Sequence, residues 1–331
     1  MSSYSATSKR SYRYLYWATS LLFAAVLLYF SLRGINWGNV WQTLIHANFI
    51  YVLASGLSVT AALFLRAIRW RVLLLTAGEV SVPTAFWATS AGYFANNFLP
   101  ARAGEVIRSF MISSAAGLRR TFVLTTALAE RLSDAISLVL ISSVVLLTLA
   151  HKPGWFADTA TPFAILGFCG AGLIAFLPRI ENQCHSVLYR LPCPQLWKSK
   201  LLTTLTQVMV GMRSFHDGER LLTFFACTAS IWFIDGYGVV FGMVALGLHC
   251  TLRIALLLLT GLGLGSALPA TPGYVGIYQF VAVSILAPFG FSKTDAIAYI
   301  LLAQAVQYVV TALWGVLGMS RARVAKPLPT T

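Results

Sequence analysis

Three segments of this chain set ionisable side chains at helical spacing inside otherwise apolar sequence. The first runs from Asn96 to Arg108, where Arg102, Glu105 and Arg108 follow a proline at i, i+3 and i+6 and so share one helical face. The second is Glu130-Arg131-Leu132-Ser133-Asp134, with its two acids one turn apart. The third is a lone Asp235 within Trp232-Phe233-Ile234-Asp235-Gly236. An ionised group in a hydrocarbon layer costs several kcal/mol, so each needs a partner or a task. Pairing Glu105 with one arginine leaves a second positive charge for an anion. The planar guanidinium suits phosphate, and a helix starting just after Pro100 would add backbone donors. The alternative is a salt-bridged cap at the cytoplasmic rim. Glu130 and Asp134 either carry protons or balance Arg102 and Arg108. Asp235 is protonated, paired across the bundle, or a proton site.

The elements that position these groups follow from composition. Of 331 residues, 58% are hydrophobic and 10% charged, against roughly 25% charged in a soluble domain. A spanning helix needs about 20 mostly apolar residues. Six stretches qualify, at about 15–32, 49–69, 121–149, 161–177, 221–247 and 295–318. The first follows Lys9, Arg10 and Arg13, but no small-residue cleavage site comes after it, so we expect an uncleaved helix. Two further apolar regions, about 84–115 and 253–288, are broken at their centres by proline and glycine into halves too short to cross comfortably. The expected fold is therefore all-α and polytopic, with six spanning helices and two re-entrant broken-helix hairpins; eight full spans is the alternative.

Basic residues give the expected orientation. With a cytoplasmic N-terminus, the cytoplasmic clusters are Lys9/Arg10/Arg13, Arg66/Arg69/Arg71, Arg119/Arg120, those between Arg179 and Arg220, and Arg321/Arg323/Lys326. Only Arg33, Lys152, Arg253 and Lys293 fall outside. This asymmetry fits hairpins that return to the side they entered from. Both termini are then cytoplasmic. The net charge of +14 is explained by these loops and not by nucleic acid, which needs a solvated basic face.

The two broken regions share a string. Leu99-Pro100-Ala101-Arg102-Ala103-Gly104-Glu105-Val106 aligns without a gap with Leu268-Pro269-Ala270-Thr271-Pro272-Gly273-Tyr274-Val275. Each copy follows two helices and precedes one. The single domain thus reads as two repeats, about 15–150 and 161–320, the second containing a cytoplasmic linker at about 178–220 with an interfacial amphipathic helix. Three crossings per repeat invert the second relative to the first, so the breaks should meet, with Pro100, Gly104, Pro269, Pro272, Gly273 and Gly276 as hinge positions. Inverted repeats with discontinuous helices are a transporter plan whose binding site lies at the breaks. The second break offers Tyr274, Tyr278 and Gln279 and no charge. Gln304 and Gln307 are expected to hydrogen-bond between helices, and Gly261 and Gly265 to permit close helix packing.

Five scattered cysteines show no metal-ligand spacing. No P-loop, H-E-x-x-H or Ser–His–Asp pattern is present, so we expect no metal, no cofactor and no catalytic residues.

Four motifs taken together resemble the lysylphosphatidylglycerol synthase transmembrane-region family of flippase-like integral membrane proteins. They are Arg66-x-x-Arg69-Trp70-x-x-Leu73-Leu74, Asn97-x-Leu99-Pro100-x-Arg102-x-Gly104-Glu105-x-x-Arg108, Glu130-Arg131-x-x-Asp134, and Leu268-Pro269-x-x-Pro272-Gly273-x-x-Gly276. The resemblance covers nearly the whole chain. It implies a lipid translocase in a bacterial inner membrane, with Arg102, Glu105, Arg108, Glu130, Arg131 and Asp134 as the carried-over positions. The expected cargo is an anionic phospholipid or a polyprenyl-phosphate-linked lipid. Its headgroup is expected at Asn97, Arg102, Glu105, Arg108, Tyr274 and Gln279. Bifunctional members carry a soluble aminoacyltransferase domain that this sequence lacks, so lysine transfer is not expected. Two other readings stay open: an accessory subunit for a lipid- or glycan-modifying enzyme, and an integral-membrane enzyme with Glu105, Glu130 or Asp134 as general base. A homo-oligomer stays open as well.

Overall fold

A computed structural model of the chain describes residues 25–99, 103–148, 165, 217–266 and 272–322. All regular structure among these is helical. After helical residues 25–32, the helices are α1 (Trp37–Ile45), α2 (Phe49–Leu74), α3 (Val82–Phe98), α4 (Gly104–Ala116), α5 (Arg120–Thr148), α6 (Gly218–Ala245), α7 (Leu252–Gly265), α8 (Ile277–Leu286) and α9 (Lys293–Ala322). Two short 3-10 turns, Pro272–Tyr274 and Ala287–Phe289, flank α8.

Four of these, α2, α5, α6 and α9, are long and apolar enough to cross a membrane. At about 1.5 Å per residue each exceeds a 30 Å hydrocarbon layer. Their outward faces are leucine, phenylalanine and valine, among them Leu57, Leu128, Leu132, Val309 and Leu313. Their buried faces carry small and polar groups such as Ser55, Thr126, Ser142, Gly238 and Thr311. Such an inside-out distribution suits a hydrocarbon solvent, where polar groups must be satisfied internally. The expected spans at 49–69 and 221–247 are displaced by several residues: α2 continues to Leu74, and α6 starts at Gly218, where Asp217 caps it by accepting from Glu219 N at 3.1 Å. The expected span at 161–177 and the amphipathic helix of the linker fall outside the described residues, apart from helical Ile165.

The two broken regions are short helix pairs. α3 packs on α4, and α7 on α8. α3 starts at a serine cap, Ser81 accepting from Thr84 N at 3.3 Å, with Pro83 in its first turn. α4 packs back on α3 where Gly104 lies against the Gly92 carbonyl and Asn96, too close for any Cβ at position 104. Gly261 and Gly265 do the same for α7 against Val281 and Ile277 of α8, as expected for close packing.

Packing between the halves is paired. α2 lies along α6, with Ser55 Oγ donating to Gly238 O at 3.0 Å. α3 lies along α9, and α7 along α5. The helix α1, which the hydropathy pattern did not single out, carries exposed Trp37 and Trp41 beside buried Val40 and contacts α9. Tryptophans with one apolar side and one polar edge are enriched at membrane–water interfaces.

Candidate functional site

The ionisable groups that the sequence scatters over four helices meet in two constellations. The first is a closed ring of alternating charge. Arg69 of α2 donates to Glu130 at 3.0 Å and to Asp134 at 2.6 Å, both on α5. Arg108 of α4 donates to the other Glu130 oxygen at 2.8 Å and to Glu105 at 2.5 Å. Arg131 of α5 donates to Glu105 at 2.6 Å and approaches Asp134 at 3.8 Å, closing the ring. Three arginines and three carboxylates thus each face two opposite charges. Helical spacing makes this arrangement possible: Glu105 and Arg108, and Arg131 and Asp134, are i, i+3 neighbours. Breaking a buried ion pair leaves an uncompensated charge, so the ring binds α2, α4 and α5 together. Around it, Trp70 covers the Arg108 guanidinium at 4.3 Å and donates its indole N–H to Thr126 at 3.1 Å. Thr228 of α6 accepts from Arg69 at 3.3 Å.

The second constellation is one pair. Arg66 of α2 donates to Asp235 of α6 at 2.5 Å. Tyr93 of α3 separates it from the ring, its ring 5.5 Å from the Arg66 guanidinium and 5.2 Å from that of Arg131. Arg131 also donates to the Tyr93 hydroxyl at 3.3 Å.

Both constellations border a cavity of about 360 Å³. Arg66, Arg131, Asp134 and Asp235 are its charged lining, and Tyr93, Gly273, Tyr274, Tyr278, Gln304 and Tyr308 are among its neutral lining. The described flanks of both breaks therefore border this one space. Asn96 and Asn97, at the end of α3, approach the Pro272–Tyr274 turn. At the first break Asn96 Oδ1 accepts from Gly104 N at 2.9 Å, capping α4 from the preceding helix. Asn97 donates to Thr311 of α9 at 2.7 Å.

The second break is neutral and tightly bonded. Gly273 (φ +70°), Tyr274 (φ +58°) and Gly276 (φ +93°) reverse the chain. The Gly273 carbonyl accepts from Gln304 at 2.9 Å and from the Tyr308 hydroxyl at 2.6 Å. Gln279 accepts from Gly276 N at 2.7 Å and donates to Gln304 at 2.7 Å. Tyr274 and Tyr278 stack with centroids 4.9 Å apart.

The structure sorts the expected site residues. Asn97, Tyr274, Arg131, Asp134 and Asp235 line the cavity; Glu105, Arg108, Glu130 and Gln279 do not. Arg108 is 1% exposed, and both its carboxylate partners are in place, so its charge is not open to an anion. Gln279 is buried and caps α8. Glu130 balances Arg69 and Arg108. Arg102, Pro100 and Pro269 fall outside the described residues. Arg66 and Arg69, which the sequence groups with the cytoplasmic bases, are ion-paired members of the two clusters, Arg69 with no exposed surface. Their spacing was the available signal, since two arginines at i, i+3 on an apolar helix mirror the Glu105/Arg108 pattern. Tyr93 and Asn96 carried no such signal. Among the described residues no cluster of three or more histidine, cysteine or acidic side chains could hold a metal ion.

Comparison with known proteins places the chain. The family model described as the lysylphosphatidylglycerol synthase TM region matches residues 17–315. A UPF0104 membrane protein of Methanocaldococcus jannaschii is 22% identical over 223 residues, covering 67% of this chain and 91% of the relative. Another UPF0104 membrane protein, from Methanothermobacter thermautotrophicus, is 21% identical over 294 residues, 84% of each chain. The broken helices and the charged motifs all lie inside the matched span, and the chain belongs to the lysylphosphatidylglycerol synthase transmembrane-region family of integral membrane proteins.

Proposed function

We propose that the protein is a lipid translocase, and that the headgroup of a phosphate-bearing lipid passes through the cavity between the two breaks while its tails stay in the bilayer. The observation that carries this reading is the convergence of both helix breaks on one cavity that paired charges border. Irregular backbone at membrane depth is tolerated where it lines a cavity or is buried in protein, and transporters built from inverted repeats place their sites at such breaks. The helix contacts support the repeat. Exchanging the halves turns the α3–α9 contact into the α7–α5 contact, α3–α4 into α7–α8, and leaves α2–α6 as a pair with itself. On this reading both hairpins are re-entrant, the repeats are inverted, and the protein sits in a bacterial inner membrane with cytoplasmic termini.

The carboxylates engaged in the ring favour a binding role over general-base catalysis, because each is held by two arginines. The cargo is an anionic phospholipid or a polyprenyl phosphate. Gentle purification followed by native mass spectrometry tests this beside Asn97→Ala/Tyr274→Ala. Selective retention of one such lipid, lost in the variant, is expected. Bound lipid that mirrors the membrane in both proteins would transfer the assignment to an accessory subunit of a lipid-modifying enzyme.

A further inference from the structure

Among the described residues, Arg66–Asp235 differs from every other pair in the cluster in three ways. Each ring member has two opposite charges, whereas Arg66 and Asp235 have only each other. The ring lies wholly in the first half of the chain, whereas this pair joins the halves through α2 and α6. The two residues are 169 positions apart, the same offset that aligns Leu99 with Leu268 (268 − 99). Arg66 and Asp235 are therefore equivalent positions of the two repeats. When two halves are related by a two-fold axis, a position that touches its own equivalent lies on that axis. An axial pair keeps facing the cavity when the halves exchange roles.

The charge count around the cavity then constrains the cargo. Among the described residues, the charged lining is balanced, Arg66 and Arg131 by Asp134 and Asp235, and behind it Arg69 and Arg108 are matched by Glu105 and Glu130. A phosphate entering this neutral wall adds an uncompensated charge in a poorly solvated space, which is costly unless a proton accompanies it. We propose that Arg66–Asp235 is the coupling site of the translocase: the lipid phosphate takes Arg66 as Asp235 takes one proton, so headgroup and proton move together. The balance is complete. The Asp235 carboxylate and H⁺ give the acid, the Arg66 ion pair passes from Asp235 to the phosphate, and for a monoanionic phosphate the net charge stays the same. Release on the other side reverses each step.

Other groups facing Asp235 do not replace it. From α2 these are Arg66 itself, and from α3 Tyr93. From α5 they are Arg131 and Asp134, and Asp134 is held by Arg69 at 2.6 Å. The second break and α9 present tyrosines, Tyr274, Tyr278, Tyr299 and Tyr308, which are not acids near neutral pH. α7 presents no titratable group to the cavity.

This inference rests on the translocation reading, and one experiment separates their failures. The protein is reconstituted in phosphatidylcholine vesicles holding a trace of fluorescent phosphatidylglycerol or, in parallel, a fluorescent polyprenyl phosphate. Leaflet occupancy is read under an imposed pH gradient and, separately, under a potassium diffusion potential. One proton per headgroup predicts a leaflet ratio shifting by up to about tenfold per pH unit, with no response to voltage for monoanionic phosphatidylglycerol and a residual response for a polyprenyl phosphate, which is partly dianionic at neutral pH. Lumen pH should follow lipid movement. Asp235→Asn removes the proton acceptor, so its lipid movement should follow voltage and ignore the pH gradient. If wild-type protein moves lipid but ignores the gradient, or if its phosphatidylglycerol movement follows voltage, the coupling is wrong and the translocase stands. If it moves neither lipid, both fall. The wild-type measurements decide the matter even where Asp235→Asn fails to fold.

Discussion

The two helix breaks share a Leu-Pro-Ala string and a close-packed glycine, yet their surroundings are chemically opposite. At the first, Gly104 opens a helix whose next turn carries Glu105 and Arg108 into the ionic ring. At the second, Gly273 offers its carbonyl to Gln304 and Tyr308, and Gln279 closes a network of amides and hydroxyls with no charge. One break is fixed by long-range electrostatics over three helices. The other is fixed by short directional hydrogen bonds to α8 and α9. Charge tolerates small displacement, because Coulomb attraction falls off slowly with distance; hydrogen bonds weaken steeply with misalignment. The first break is thus the strongly bound and more compliant of the two, and the second the more sharply positioned.

Removing charge should show the largest difference. Arg108→Ala leaves Glu130 and Glu105 each short of a partner and should cost about 3–5 kcal/mol, seen as collapse of the thermal unfolding midpoint in detergent. Arg66→Ala, which strands a single partly exposed aspartate, should cost clearly less in the same melt. Equal losses would remove the distinction between ring and pair. Gly104→Ala forces a methyl against the Gly92 carbonyl and Asn96 and should destabilise by about 1–3 kcal/mol, with a lower yield of monodisperse protein. At the neutral break, Gln304→Leu deprives the Gly273 carbonyl of one donor and orphans the Gln279 amide. A loss of about 1–3 kcal/mol is expected, and an unchanged melt would show that the amide network is incidental. The smallest effect belongs to Tyr274→Gly. It relieves a positive φ that costs a non-glycine residue about 1–2 kcal/mol but gives up the stack on Tyr278. Stability should change by less than about 1 kcal/mol, while lipid transport in vesicles falls.

Much of this was legible in the sequence, for reasons that can be located. Hydropathy and helical length select α2, α5, α6 and α9, and proline and glycine select both breaks, because breakers act locally. The acids of α5 and Asp235 stand out as charges in apolar sequence. What escaped is what depends on three-dimensional neighbours. Arg66 and Arg69 sit near the end of an apolar run, where the same letters describe a cytoplasmic loop; only the positions of Glu130, Asp134 and Asp235 bring them inside. Arg108 looked available because the sequence shows its i−3 partner Glu105 but not Glu130 on another helix. Tyr93 and Asn96 matter through what flanks them in space. The nine-residue helix α1 is too short to register as a span.

The ring also has a history in time. Arg69 and Asp134 are 65 residues apart, and a growing chain exposes the arginines of α2 well before the acids of α5 have been made. Until then α2 carries Arg66, Arg69 and Arg71 at one end with no countercharge from α5. Asp235 arrives later still. The arginine end of α2 should wait at the membrane surface and sink only when α5 delivers its carboxylates, so that assembly of the first half is gated by charge neutralisation. Glu130→Gln would then act during synthesis rather than on the finished molecule.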